Sequence, residues 1–206
     1  MNIKLILCDF DGTITQTDVL DTICDLVGRK PESVRINRLF QAGQKDGKQA
    51  LRERFSLLAG LPLERTYPLM ENILLTEGAE ELFACAAQLG IHVLVLSGNA
   101  QFVLEFFARK LQFTRVCGSR IWVENGIIQP WNQEKCLEID KYREAVTYIE
   151  QHGLEKNQII AIGDSVADEE IFALAGKSFV INPKGNVQAD MQIQSLEEVI
   201  PYLKEE

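Results

Sequence analysis

Ile3-Lys4-Leu5-Ile6-Leu7-Cys8-Asp9-Phe10-Asp11-Gly12-Thr13 is the stretch on which the reading of the chain turns. Its apolar run, too short for a helix, reads as a strand buried on both faces. The run stops at two carboxylates one residue apart, and Gly12 then breaks the pattern. Residues i and i+2 of a strand share a face, so Asp9 and Asp11 look into one site wherever strand geometry persists. Two anions that close repel, and either one holds a proton or a cation neutralises them. An isolated Asp-x-Asp is also an ordinary Asx turn closing a strand. The residues downstream decide between the two.

Helical spacing takes over after Thr13. Asp18 is placed to cap a helix carrying Val19, Leu20, Ile23 and Cys24, with Gly28 ending it. Pro31 opens a second helix, and Leu51, Phe55 and Leu58 line a third. Leu69, Ile73 and Leu74 mark a fourth, after the break at Gly60-Leu61-Pro62. From residue 77 the rhythm changes. A helix closed by Gly90 precedes an apolar strand over 91–96, which ends at Ser97-Gly98-Asn99, and a helix through Phe102 and Phe107 follows. Strands over 119–123 and 127–129 flank Asn125-Gly126, a strong hairpin signal. Asp140 caps a helix reaching Gly153, and a strand over 159–162 ends at Gly163-Asp164-Ser165. A helix through Ile171 and Leu174, a short strand over 179–181 and a helix over 195–203 complete the chain.

Apolar strands alternating with helices specify a parallel sheet covered on both faces. The expected fold is α/β, a doubly wound (Rossmann-like) core of residues 1–13 and 77–206, with residues 14–76 as a small helical cap domain inserted after the first strand. Such sheets bind ligands at the carboxyl ends of their strands, which is where the three polar clusters stand.

Composition narrows the partners. A net charge of −9 over 206 residues repels nucleic acid and anionic lipid, so neither is expected. Five cysteines with no Cys-x-x-Cys pair argue against a disulfide framework or a zinc site and for a reducing, cytoplasmic setting. The N-terminal apolar run is cut by Asp9 and is not a signal peptide, and no stretch approaches transmembrane length. Composition leaves the oligomeric state open.

Asp9, Asp11, Asp164 and Asp168, with nearby hydroxyls and loop amides, describe an all-oxygen site for a hard cation, and Mg²⁺ suits it. A carboxylate beside such a metal can be a nucleophile, leaving a second one to move protons. Rival chemistries lack parts. No cysteine has Arg six positions on, as a thiol-phosphate mechanism wants. Gly47-Lys48 lacks the Ser or Thr and the spacing of a P-loop. His92 and His152 have no motif around them.

Asp9-Phe10-Asp11-Gly12-Thr13, Ser97-Gly98, Lys141 and Gly163-Asp164-Ser165-x-x-Asp168 resemble, in order, the four motifs of the haloacid dehalogenase-like (HAD) phosphatases. Residues 50–58 and 76–81 are similar to segments of the phosphoserine phosphatases within that family. The resemblance implies a phosphomonoesterase working through an aspartyl-phosphate on a small phosphorylated metabolite. It implies Asp9 as nucleophile and Asp11 as general acid/base. Ser97, Gly98 and Lys141 would bind the phosphoryl group, and Lys141 would neutralise it. Asp9, Asp164 and the Asp11 carbonyl would hold Mg²⁺, supported by Asp168. Arg54 matches the Arg that grips a substrate carboxylate, and Asp18 stands, one methylene short, where a Glu takes the ammonium. Gly47 replaces an expected bulky apolar residue, Asn99 a glycine, and Ala167 an Asn or Thr. Phosphoserine leads the expected substrates. A methionine-salvage enol phosphate, phosphocholine- or phosphoethanolamine-type esters and a phosphomutase reaction follow. A phospho-acceptor signalling module shares the Asp, metal, hydroxyl and Lys, but it would not need Asp11 or a helical insertion.

Overall fold

The computed structural model describes residues 2–204. Its strands are β1 (Leu5–Cys8), β2 (His92–Ala100), β3 (Arg115–Ser119), β4 (Val123–Glu124), β5 (Ile127–Ile128), β6 (Ile159–Ser165), β7 (Lys177–Lys184) and β8 (Met191–Ile193). Its helices are α1 (Val19–Asp25), α2 (Lys30–Gln41), α3 (Gly47–Ser56), α4 (Tyr67–Met70), α5 (Ala79–Gln88), α6 (Gln101–Leu111), α7 (Lys141–His152), α8 (Glu169–Phe172) and α9 (Ile200–Leu203). Six strands form one parallel sheet in the order β3-β2-β1-β6-β7-β8, and β4-β5 is a separate hairpin. This is the doubly wound α/β core that the strand pattern predicts.

The alternation of side chains explains why these strands read as continuous apolar runs. Ile6, Cys8, Val93, Val95, Ile160 and Ile162 pack into one core with Leu82 and Phe83 of α5 and Val103 and Phe107 of α6. Leu5, Leu7, Leu94, Leu96, Ile159 and Ala161 pack into the other with Ala145 and Tyr148 of α7 and Ile171 and Phe172 of α8. Both faces are therefore dry. The winding reverses between β1 and β6, because α5 and α6 cover one face while α7 and α8 cover the other. That reversal opens a crevice at the carboxyl ends of these two strands.

Between β1 and β2 the sheet gives way to α1–α4 and a 3₁₀ turn at Leu63–Thr66. The two chain crossings run side by side: Thr76 N donates to Ile14 O at 2.9 Å and Gln16 N to Leu74 O at 3.0 Å. The insertion has a second attachment. The β4-β5 hairpin, turned at Asn125 (φ 51°) and Gly126 (φ 76°), accepts from Gly60 N at Ile128 O and from Leu63 N at Gly126 O, both at 2.8 Å. Arg52 of α3 is also ion-paired with Glu138.

Several boundaries differ from the sequence reading. Ser119 ends the edge strand β3 and does not open the hairpin; Arg-Val-Cys-Gly-Ser carries too few apolar residues to announce a strand. β8 is three residues long, below the length at which periodicity shows. β2 and β6 run on through the polar clusters, because Ala100 pairs with Ser119 and Ser165 with Lys184 after register shifts. α4 stops at Met70, leaving Ile73 and Leu74 outside it. The last helix begins as a 3₁₀ turn, Leu196–Val199, before α9. No helix among the described residues is long and apolar enough to cross a membrane.

Candidate active site

Asp9 leaves β1 still in register, its N–H donating to Ile162 O at 2.9 Å. The chain then curls, Ile14 N donating to Phe10 O at 2.9 Å. Gly12 permits that curl with φ +90°, and any side chain there would run into the Asp164 carboxylate. The curl turns Asp9 and Asp11 toward the β1/β6 crevice. From α7, whose N-terminus Asp140 caps by accepting from Arg143 N, comes Lys141.

Lys141 Nζ is the hub. It donates to Asp9 Oδ1 at 2.5 Å and to Asp168 Oδ1 at 2.8 Å. Asp168 in turn accepts at Oδ2 from the backbone and hydroxyl of Ser165 and from Asp164 N, all within 3.2 Å. Asp168 is thereby locked, and it locks Lys141. Burial works against the Lys141 charge, but Asp168 and Asp9 outweigh it and hold the ammonium above the usual lysine range. Burial, then Asp168, push the Asp9 carboxyl up, and Lys141 opposes them.

Asp11 sits on the other side. Its Oδ1 accepts from Val19 N at 2.7 Å, and Asn99 Nδ2 donates to both of its oxygens at 3.0–3.1 Å. Ser97 Oγ donates to Asp11 Oδ2 at 3.3 Å and accepts from Asn99 N at 3.0 Å. Burial, then the Asp18 charge, push Asp11 up to about 7, so at neutral pH it can both hold and release a proton.

The donor set fits a metal. Single oxygens of Asp9, Asp164 and Asp168 lie within 4.8 Å of one another. Asp164 is 3% exposed, and among the described residues its Oδ2 receives no aligned hydrogen bond, although Lys184 Nζ approaches it to 2.5 Å. A buried carboxylate oxygen whose one charged neighbour is a half-exposed, poorly aligned ammonium is a place that a hard cation could take over.

Asp9, Asp11, Ser97, Asn99, Lys141 and Asp164 line one end of a cavity of ≈ 570 Å³, the size of a small-metabolite site. Asp18, Phe40, Leu51 and Arg54 line the end toward the insertion. Arg54 is buried, not the surface residue its helix alone would suggest. Its Nη2 donates to Asp18 Oδ1 at 2.6 Å and Asp21 Oδ1 at 2.9 Å, and its Nε to Ser33 Oγ at 2.9 Å. Asn37 Nδ2 donates to Asp18 Oδ2 at 3.0 Å. One guanidinium thus ties α3 to α1 and α2. Removing it strands two acids, so Arg54→Met is expected to cost roughly 3–5 kcal/mol of stability, read as a lowered melting temperature. A change within error would mean that the cluster does not hold these helices.

Two positions that looked anomalous in sequence, Gly47 and Asn99, find partners. The ring of Phe40 fills the space beside Gly47, where a Cβ would lie 2.9 Å from Phe40 Cε2, so the apolar wall comes from α2. Asn99 orients Asp11. Leu51 packs over Gly98, where a Cβ would lie 2.9 Å from Leu51 Cδ1. Sequence reasoning missed Asn99 in this role, along with Asp21, Ser33, Phe40 and Lys184. None of them carried a local signal. His92 and His152 lie apart from the cavity, both against Tyr148.

Comparison with known families places this geometry. Residues 6–172 match the haloacid dehalogenase-like hydrolase family. The chain belongs to the haloacid dehalogenase-like hydrolases. It is 30% identical over 206 residues to the phosphoserine phosphatase of Methanocaldococcus jannaschii, covering 98% of each chain. It is 30% identical over 202 residues to that of Albidiferax ferrireducens, covering 93% of this chain and 85% of the relative. Among solved structures, a phospho-aspartyl intermediate analogue of phosphoserine phosphatase superposes with a TM-score of 0.86 at 27% identity, covering 99% of this chain and all of the other. A substrate-bound phosphoserine phosphatase complex gives 0.87 at the same identity and coverage. This member of the hydrolase family is accordingly a phosphoric monoester hydrolase with aspartyl-phosphate chemistry.

Proposed function

We propose that the chain is a Mg²⁺-dependent phosphatase whose substrate is phosphoserine, working in the cytoplasm, with residues 14–76 acting as a cap over the cavity. The observation that carries this reading is Lys141 Nζ bridging Asp9 and Asp168 at the carboxyl end of β1, with Asp11 beside them and a cavity of small-metabolite size leading away. A carboxylate oxygen of Asp9 attacks phosphorus, and the bond from phosphorus to the ester oxygen breaks. Asp11 gives its proton to the departing alkoxide. It then takes a proton from water, which attacks the same phosphorus and frees Asp9 and phosphate. Ser97 and the Gly98 backbone orient the phosphoryl oxygens, and Lys141 offsets their charge. Asp9, Asp164 and the Asp11 carbonyl would hold Mg²⁺, with Asp168 in support. When bound, the ion supplies positive charge opposite the transferring group.

Arg54 and Asp18 read the amino-acid end, Arg54 taking the carboxylate and Asp18 the ammonium. A second reading has its own support. Asp18, Asp21 and Arg54 sum to one negative charge, and Nη2 of Arg54 is already spent on the two acids. Such a cluster also suits an amino-alcohol phosphate, which has the cation and lacks the carboxylate.

One experiment separates the readings: phosphate release from phosphoserine and from phosphoethanolamine, each with Mg²⁺ and with EDTA. A charge-assisted hydrogen bond is worth about 1.5–3 kcal/mol, so kcat/KM should favour phosphoserine roughly ten- to a hundredfold. EDTA should abolish both rates, and Mg²⁺ should restore them. A preference for phosphoethanolamine would move the assignment to amino-alcohol phosphates, and full activity in EDTA would remove the metal.

A further inference from the structure

Lys184 lines the cavity beside Asp164, and the proposed reaction does not use it. We propose that it is a resident counter-ion: it holds the metal position in the metal-free protein and must leave when the metal enters. The proposal rests on the metal reading above and adds a residue to it.

The geometry is specific. β7 runs past the core residue Ile181, turns at Asn182 (φ 45°), and a register shift sets Lys184 opposite Ser165 of β6. The side chain then reaches back. Its Nζ lies 2.5 Å from Asp164 Oδ2 and 3.5 Å from the Asp11 carbonyl oxygen. Those are two of the oxygens assigned to Mg²⁺, one carboxylate and one backbone carbonyl. An ammonium and a metal ion cannot both occupy the space between them. Gly12 keeps that space open, since a Cβ there would lie 2.6 Å from Lys184 Nζ.

Its neighbour Lys141 shows by contrast that Lys184 is built to move. Lys141 is gripped by two carboxylates, Asp9 and Asp168, and its side chain is 19% exposed. Lys184 has one carboxylate partner, and its side chain is 37% exposed. The four-carbon stem of a lysine lets its charged head swing into water at little cost. The two lysines therefore have separate tasks. Lys141 stays and offsets phosphoryl charge. Lys184 neutralises Asp164 until the metal replaces it, so that Asp164, 3% exposed, is never left as an uncompensated buried charge.

Lys184→Met keeps the length and removes the charge. Titration calorimetry of the full chain with Mg²⁺ alone, and thermal melting in EDTA and in saturating Mg²⁺, test the idea. The variant is expected to bind Mg²⁺ roughly ten- to a hundredfold tighter, because the ion no longer displaces a charge-assisted contact. It is expected to melt below wild type in EDTA and level with it in saturating Mg²⁺. Lys184→Arg, which keeps the charge, is expected to show no gain in affinity. A variant that folds only with Mg²⁺ present supports the proposal, and one that fails in both conditions overturns it. Equal or weaker affinity in Lys184→Met, with normal binding by wild type, overturns the role of Lys184 alone. Absence of binding by wild type and variant alike overturns the metal reading with it. Binding by the variant only supports the competition directly.

Discussion

Asp9→Asn is expected to lower the turnover of every phosphomonoester by at least about four orders of magnitude while the fold survives. The amide has the carboxylate's shape but not its nucleophilic charge. The substitution also removes one of several crowded acids, so no loss of stability follows from it. Lys141 keeps its contact with Asp168, which is itself held by Ser165 and Asp164 N, and the ammonium stays in place. Steady-state assays on an alkyl and an aryl phosphate, with a melting curve as control, read the result. Activity within tenfold of wild type in a folded, pure variant would remove Asp9 from the nucleophile's role.

Asp11→Asn should separate the two half-reactions. An alkoxide is a poor leaving group and needs the proton that Asp11 supplies, whereas an aryl oxide leaves without it. Transfer from an alkyl phosphate should fall by about 10²–10⁴, the usual worth of a general acid. Transfer from an aryl phosphate should stay fast, but the intermediate should then persist, because water has lost its base. Rapid-mixing assays should show a burst of one aryl alcohol per enzyme followed by a slow rate, and no burst with the alkyl ester. Equal losses on both substrates, without a burst, would mean that Asp11 only shapes the site. The hydrogen bonds from Asn99 and Val19 make that alternative worth testing.

The sequence carried most of what is local. Strand β1 and its abrupt end were visible because a strand buried on both faces has to be an apolar run, and two carboxylates cannot continue it. Ser97 and Asp164 were legible for the same reason, each standing where another such run stops. Asp18 and Asp140 as helix caps, and Asn125-Gly126 as a hairpin turn, follow from single-residue backbone preferences and appear where predicted. Lys141 was legible only through family resemblance, since a lysine in a first helical turn is usually just solvated. The rest depends on contacts between distant segments. Phe40 and Gly47 lie on different helices, and nothing in either stretch says that one supplies the wall beside the other. Asn99 looked like a substitution for glycine, and its bonds to Asp11 exist because β1 and β2 are neighbours. Lys184 lies 20 residues beyond Asp164 in sequence and reaches it through the pairing of β6 with β7. Arg54 was marked only by the family resemblance, because the acids that bury it come from α1 and its N-cap and leave no trace in the sequence of α3.

The most direct test of a covalent intermediate on Asp9 is to charge the Asp11→Asn protein with an aryl phosphate and Mg²⁺, quench it in acid within the burst, and locate the phosphoryl group by peptide mass spectrometry. Phosphoryl on Asp9, close to one per chain and absent from the Asp9→Asn, Asp11→Asn double variant, is the expected result. Phosphoryl on Ser97, a histidine or a cysteine, or product release with no phosphorylated peptide while the burst is under way, would contradict it.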